Sequence, residues 1–319
     1  MPQQLSFSII IPVYNRPGEV DELLESLSQQ THPEKFEVIV VDDGSSDGKK
    51  CDVVANRHSS QLDIKYFYKP NSGAGLSRNF GMTKATGTYF IILDSDVILP
   101  PQYLSVVHQT LDQQYTDIYG GPDTAHHTFT PLQKSINYAM TSFWTTGGLR
   151  GGKNNKDFQP RSFNLGMSRE VFHATGGFKS RKIGEDIDFS FRTKQMGYTS
   201  QLIPEAYVYH KRRNTLKQFF KQTFAFGKER PKLNKEFPGT SKLTYWFPTL
   251  FALGLIFSII CFIITPYLPF IYLYGLYLSI VGVDSALKNK SIVVGLMSMI
   301  TTITQFFGYG FGFLTGLFR

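Results

Sequence analysis

The chain has 319 residues, a formal net charge of +8, and hydrophobic residues at 42% of its positions. Its two cysteines, Cys51 and Cys261, stand far apart with no CxxC spacing, which excludes a disulfide framework and a cysteine zinc site. At this length one α/β domain of ordinary size is expected with a further segment after it. No internal repeat is present, and the first residues lack the basic-apolar-small order of a signal peptide.

Phe7 to Pro12 (FSIIIP) predicts an apolar strand, and Val20, Leu23, Leu24 and Leu27 keep helical spacing over about Pro17 to Gln30. A strand over Phe36 to Val41 with a helix near Lys49 to Arg57 comes next. The strand Ile64 to Tyr68 with a helix near Leu76 to Thr86 follows, then the strand Thr88 to Leu93. Such alternation builds a mostly parallel sheet with helices on its faces, an α/β fold.

Two of these strands end in acids: EVIVVDDGSS places Asp42 and Asp43 at one exit, and YFIILDSDV places Asp94 and Asp96 at the other. Ligands of open α/β sheets bind beyond the carboxyl ends of the strands, and carboxylates two residues apart there can hold a hard divalent cation that bridges phosphate oxygens. Ordinary turn chemistry explains either acidic cluster by itself equally well, because Asp bonds its own backbone at strand exits. The loop NSGAGLSRNFG (Asn71 to Gly81) offers backbone N–H groups and Arg78 to a pyrophosphate, or is a plain turn into a helix. Thr145 to Asp157 (TTGGLRGGKNNKD) has the Gly, Asn and Lys content of a mobile loop, closing or merely exposed. Phe143 and Trp144 before it can stack on a sugar face or belong to the core.

The composition changes after Lys242. Tyr245 to Thr265, Tyr267 to Val283 and Ile292 to Leu317 are apolar, and only Asp284, Lys288, Lys290 and Arg319 are charged. Spans near 20 residues are long enough to cross a bilayer, so three transmembrane helices are expected, the second of them short. Lys211 to Lys242 concentrates Lys and Arg, opposed only by Glu229 and Glu236. By the positive-inside rule this places the preceding domain in the cytoplasm, and Lys288 and Lys290 agree. Within it, LKQFFKQTFAFGKERPKL interleaves aromatics with cations, as expected of a helix lying among anionic headgroups. Membrane lipid thus accounts for the positive charge, and no nucleic-acid partner is expected.

Taken together, SIIIPVYNR, VVDDGSSDG, NSGAGLSRNFG, ILDSDV and GGFKSRKIGEDIDFSFR resemble glycosyltransferase family 2 in order and spacing over roughly the first two-thirds of the chain. The resemblance implies a GT-A fold at residues 1–210; composition adds a basic amphipathic membrane-interface segment at 211–243 and a transmembrane region at 244–319. It implies transfer of one sugar, with inversion, from a nucleotide-diphosphate donor, a UDP-sugar by expectation. Carried over residue by residue, Pro12 and Tyr14 line the base pocket and Asp42 binds the base, with Asp43 beside it. Asp94 and Asp96 match the DxD, Asp96 as direct ligand of Mn²⁺ or Mg²⁺ and Asp94 toward the ribose or a coordinated water. His210, ending YVYH, completes the metal site in some GT-A enzymes; a lone His is also an ordinary polar strand end. Asn164 falls where substrate is touched.

Inverting transfer needs an acceptor hydroxyl relieved of its proton, and GEDIDFSFR offers Glu185, Asp186 and Asp188. The resemblance makes Asp186 the base, with Glu185 its neighbour in the motif. Acids in a first helical turn also satisfy free N–H groups and the dipole, a role given mainly to Asp188 with Arg192 four residues on. Metal and Arg78 would stabilise the leaving diphosphate. No QxxRW motif of processive synthases follows, so single-sugar addition to a lipid-linked or membrane-proximal glycan acceptor is expected. A non-catalytic nucleotide-sugar or glycan binding module and a nucleotidyltransferase are the competing classes.

Overall fold

The structure is a computed structural model that describes residues 5–48, 50–147, 158–265 and 270–318. In chain order the elements are β1 (Phe7–Val13), α1 (Pro17–Ser28), β2 (Glu37–Asp42), α2 (Asp52–His58), β3 (Asp63–Tyr68), α3 (Ala74–Lys84), β4 (Tyr89–Leu93), β5 (Val97–Ile98) and α4 (Tyr103–Gln113). Then come β6 (Ile118–Gly120), β7 (Asp123–Thr124), α5 (Pro131–Thr141), α6 (Phe143–Thr146), β8 (Asn164–Ser168), α7 (Arg169–Thr175), α8 (Glu185–Gln195), β9 (Ser200–Leu202) and β10 (Val208–His210). Four helices close the chain: α9 (Leu216–Glu236), α10 (Phe247–Ile264), α11 (Phe270–Asn289) and α12 (Ile292–Leu317).

Two compact units result, one of Met1–Thr124 with Lys153–His210, the other of Ala125–Gly152 with Lys211–Arg319. The boundary therefore differs from a cut at residue 210: the segment holding α5 and α6 groups with the C-terminal helices. Most of the Thr145 to Asp157 loop lies outside the described residues, as do four residues of the link between α10 and α11.

In the first unit a seven-stranded sheet runs in the order β3-β2-β1-β4-β8-β6-β9. β1 pairs in parallel with β2 and β4, and β2 with β3, whereas β8 is antiparallel to both of its neighbours. β1, β2 and β4 are buried throughout, which is why their sequences are continuous apolar runs and not alternating ones. Val20, Leu23, Leu24 and Leu27 of α1 pack on one face with Ile9, Ile11, Val38 and Val40; Ile10, Ile39 and Ile92 face Met82 and Phe189 on the other. Gly81 marks the close approach of α3 to the sheet, since a Cβ there would lie 2.7 Å from Ile10 Cγ2.

After β4 the chain enters a second sheet, of order β5-β10-β7. Its register sets His210 opposite Val97 and Val208 opposite Asp123. Strands this short carry no periodic signal, so the sequence pattern does not predict this sheet.

In the second unit α10, α11 and α12 are each long and apolar enough to cross a membrane. α9 seats its Phe219 among Ile136, Ala139 and Met140 of α5. Against α12 the backbones come closer still: a Cβ on Gly308 would lie 2.1 Å from Thr223 Oγ1, one on Gly312 2.1 Å from the Phe224 carbonyl, and one on Gly316 2.4 Å from the Lys228 carbonyl. Small residues every fourth position let two helices meet backbone to backbone.

Candidate active site

Asp94 and Asp96 leave β4 in the turn toward β5, and His210 returns to them from β10. One ligand atom from each lies within 4.8 Å of the others, close enough to share an ion with bonds of about 2.1–2.4 Å. His210 Nε2 is 3.2 Å from Asp96 Oδ1, and its Nδ1 faces Asp123 Oδ2 at 3.9 Å. The Phe163 ring lies against the imidazole, centroids 4.8 Å apart. Two carboxylates and an imidazole are a donor set that fits Mn²⁺, or Mg²⁺ with the imidazole less favoured. Arg16, next to the first strand, donates from Nη1 to Asp96 Oδ2 at 2.8 Å and to Glu19 Oε2 at 2.8 Å, so Asp96 lies between the Arg16 guanidinium and the His210 imidazole.

Arg78 does not stand open to a diphosphate. Its side chain is 3% exposed and bridges Asp94 Oδ1 at 2.7 Å to Glu185 Oε1 at 2.9 Å. The expectation that it pairs with phosphate oxygens gives way to a strut: a guanidinium fork buried between two carboxylates. Burial pushes the Glu185 carboxyl up, Arg78 opposes the shift and Asp186 adds to it, so that Glu185 stays above the usual range.

Asp186 sits in the first turn of α8, where its Oδ1 accepts from the Ile187 amide at 2.8 Å and its Oδ2 lies 3.5 Å from Arg161 Nη1. Asp188 is fully buried, receives Arg192 Nε at 2.7 Å, and has Lys179 and Arg181 within 3.5 Å. Three cations on one inward carboxylate make it a structural centre for α8, the role expected of it.

The first acidic pair also faces inward. Asp42 Oδ1 accepts from the Ser45 amide at 2.8 Å, and its Oδ2 from Tyr66 Oη at 2.9 Å and the Cys51 amide at 3.2 Å. Asp43 accepts from the Ser72 and Gly73 amides and from Lys69, clipping the NSGAG loop to the end of β2. Burial alone would raise the Asp43 carboxyl; Lys69 and those amides outweigh it and hold it low. Pro12 is buried in β1, while Tyr14 is 51% exposed beside this turn.

Asn164, expected to touch substrate, is fully buried: Tyr103 Oη donates to its Oδ1 at 2.5 Å and its Nδ2 donates to the Ala206 carbonyl at 2.8 Å. With both ends of the amide engaged, it fastens β8 in place and is not open to an acceptor. Trp144 is 43% exposed in the second unit, where Tyr277 Oη donates to its carbonyl at 2.7 Å.

Arg16, Asp123, Arg161 and Phe163 were not singled out in the sequence. Arg16 lies inside the quoted PVYNR run and was legible as a cation next to a strand exit; the other three depend on non-local pairing.

Residues 8–176, more than half of the chain, match the model of Glycosyl transferase family 2. The chain belongs to that family. Among curated relatives, glycosyltransferase AglE of Haloferax volcanii is 24% identical over 266 residues, 82% of this chain and 81% of AglE. An uncharacterized glycosyltransferase of Rickettsia conorii is 40% identical over 119 residues, 36% of this chain, and the match spans 19% of that protein's length. Among solved structures, the mannosyltransferase PcManGT of Pyrobaculum calidifontis, in complex with GDP-Man and Mn²⁺, superposes with a TM-score of 0.61 at 16% identity, covering 94% of this chain and 86% of that one. The likeness fixes a GT-A-like fold for this family 2 glycosyltransferase.

Proposed function

We propose that this glycosyltransferase moves one sugar, with inversion, from a nucleoside-diphosphate donor to the hydroxyl of a lipid-linked or membrane-proximal glycan. The observation that carries the reading is the convergence of Asp94, Asp96 and His210, tied through Arg78 to the start of α8, where Asp186 stands. Asp96 and His210 would hold Mn²⁺ or Mg²⁺, with Asp94 beside them. When bound, the ion supplies positive charge to a diphosphate. Asp186 takes the acceptor proton as the new C1–O bond forms and the bond from C1 to the diphosphate oxygen breaks. Arg161 stands beside it, 3.5 Å from its Oδ2. Arg78 keeps both halves of the site at a fixed spacing. Tyr14, with its exposed ring, is the proposed base platform, and Asp42 and Asp43 shape the turn next to it. A UDP-sugar remains the proposed donor, with GDP-sugar as the alternative that PcManGT represents.

Placement at the cytoplasmic face rests on the cation excess of Lys211 to Lys242. A panel of nucleotide-sugars incubated with the full chain in detergent tests the reading: nucleoside diphosphate should accumulate from one donor and only with metal. Release of pyrophosphate from a nucleoside triphosphate would instead identify a nucleotidyltransferase, and nucleotide binding without turnover a binding module.

A further inference from the structure

Hydropathy makes α12 a third span. Its contacts point elsewhere. α10 and α11 form an antiparallel hairpin in which Phe251 lies level with Tyr277, ring centroids 5.7 Å apart, and Phe257 with Phe270 at 6.5 Å. A third helix crossing beside this hairpin would meet successively deeper levels of it. α12 does not.

Near its start α12 touches the end of α11: a Cβ on Gly295 would lie 2.5 Å from the Gly282 carbonyl, and Ser285 and Ser298 hydroxyls are 2.7 Å apart. Near its end it touches the beginning of α10: Phe306 packs on Phe251 at 4.8 Å, Phe313 on Trp246 at 4.9 Å, and a Cβ on Gly310 would lie 2.9 Å from the Pro248 carbonyl. Gly295 to Phe313 is about 27 Å of helix, yet all these contacts fall within the last two or three turns at the foot of the hairpin, about 13 Å. α12 therefore lies across that foot.

Polar helices accompany it there. Thr301 Oγ1 donates to the Ser135 carbonyl of α5 at 3.1 Å, and Tyr138 of α5 donates to Asp284 near the end of α11 at 2.6 Å. α9 then runs parallel to α12 through the glycine contacts at Gly308, Gly312 and Gly316. At helical spacing Lys217, Lys221, Lys228, Lys232 and Lys235 of α9 fall within an arc of about 60°, away from the buried Phe219, Thr223 and Gly227. A helix with five lysines in one row cannot accompany its neighbour through hydrocarbon. The side of α12 that no described residue covers is apolar: Ile292, Val293, Leu296 and Ile300 are all more than half exposed.

We infer that α12 is an interfacial helix and not a third span. It lies along one leaflet with Ile292, Val293, Leu296 and Ile300 at the acyl boundary, and only the α10–α11 hairpin enters the bilayer. Both ends of α12 then stay on the membrane side that carries α9, in place of the opposite sides that three spans require.

Single reporter cysteines at Lys221, Lys290 and Thr315, each exposed, in the full chain with Cys261→Ser, test this in sealed vesicles of both orientations with a membrane-impermeant maleimide. The expected result is labelling of all three from the same face. Thr315 reacting only from the face opposite Lys290 overturns the inference. A second measurement covers the case of a poorly reactive site: spin labels at positions 292, 293, 296 and 300 report depth by oxygen and nickel accessibility. An in-plane helix gives similar shallow depths of about 5–10 Å at all four. A crossing helix gives a change of about 12 Å between positions 292 and 300, and that result also overturns it.

Discussion

Arg78 and Glu185 are 107 residues apart in the chain and 2.9 Å apart in the fold, and the same guanidinium holds Asp94 at 2.7 Å. One buried cation thus joins the exit of β4 to the first turn of α8. Arg78→Met should leave two carboxylates close together without their counter-ion. Removing one partner of a buried pair costs about 3–5 kcal/mol, so thermal unfolding in detergent should move down by several degrees and metal-dependent nucleotide affinity should fall with it. An unchanged melting temperature would show that the strut carries no stability.

Asp96 holds Arg16 on one oxygen and His210 near the other. Asp96→Asn removes an anionic ligand from the proposed ion site, and the expected outcome is loss of turnover with UDP or GDP affinity weakened mainly when Mn²⁺ is present. Calorimetry with and without the metal checks this. Equal affinities in variant and wild type under both conditions would remove Asp96 from direct contact with the ion.

For Asp186 the expected signature is kinetic. Asp186→Asn should keep donor affinity near that of the parent while turnover falls roughly 10²-fold or more, the usual worth of a positioned base. Glu185→Gln, which also loosens Arg78, should lower both. If Glu185→Gln alone slowed turnover with affinity intact, the base would belong at Glu185.

How much of this was legible beforehand divides along physical lines. β1, β2 and β4 were plain in the sequence because a strand buried on both faces must be apolar at every position. Asp94 and Asp96 were plain because they follow such a run. His210 could be matched only by resemblance, since its strand has three residues and gains its partners from β5 and β7. Residue type suggested phosphate for Arg78 and the family resemblance substrate for Asn164; burial and hydrogen-bond partners, which no local pattern encodes, turn both inward. α12 is long and apolar enough to cross a membrane, and its glycines, serines and threonines form a packing face that composition cannot orient.

Glu37 gives a prediction in pH. Its burial alone would raise the carboxyl, but Lys65, Ser8 and Thr86 outweigh that and bring it down to about 2. A depressed carboxyl contributes stability that is fully present above its unfolded value near 4.3, and loses it as pH falls through that value toward about 2. Glu37→Gln should cost about 2 kcal/mol at pH 7 and flatten the acid limb of a melting-temperature profile between roughly pH 5 and 2. A parallel downward offset at every pH would make the loss one of packing, not of charge.

Gly312 faces the Phe224 carbonyl with no room for a side chain. Gly312→Leu should push α9 off α12 at a cost of about 1–3 kcal/mol or more, seen as faster proteolysis within Leu216 to Glu236, while nucleotide binding by the first unit is retained. Intact α9 under those conditions would mean that the helices part without consequence.

The short sheet that brings β10 back against β5 also sets an order of events during synthesis. Asp96 leaves the ribosome about 110 residues before His210, so the proposed ligand set cannot close while the central strands alone are present, and contacts of such long separation form late. His210 is the final residue of the first unit, and α9 begins at Leu216. In biogenesis, then, the proposed ion site would become complete only as the apolar helices begin to emerge, and a nascent chain still lacking β10 would be without His210 at that site.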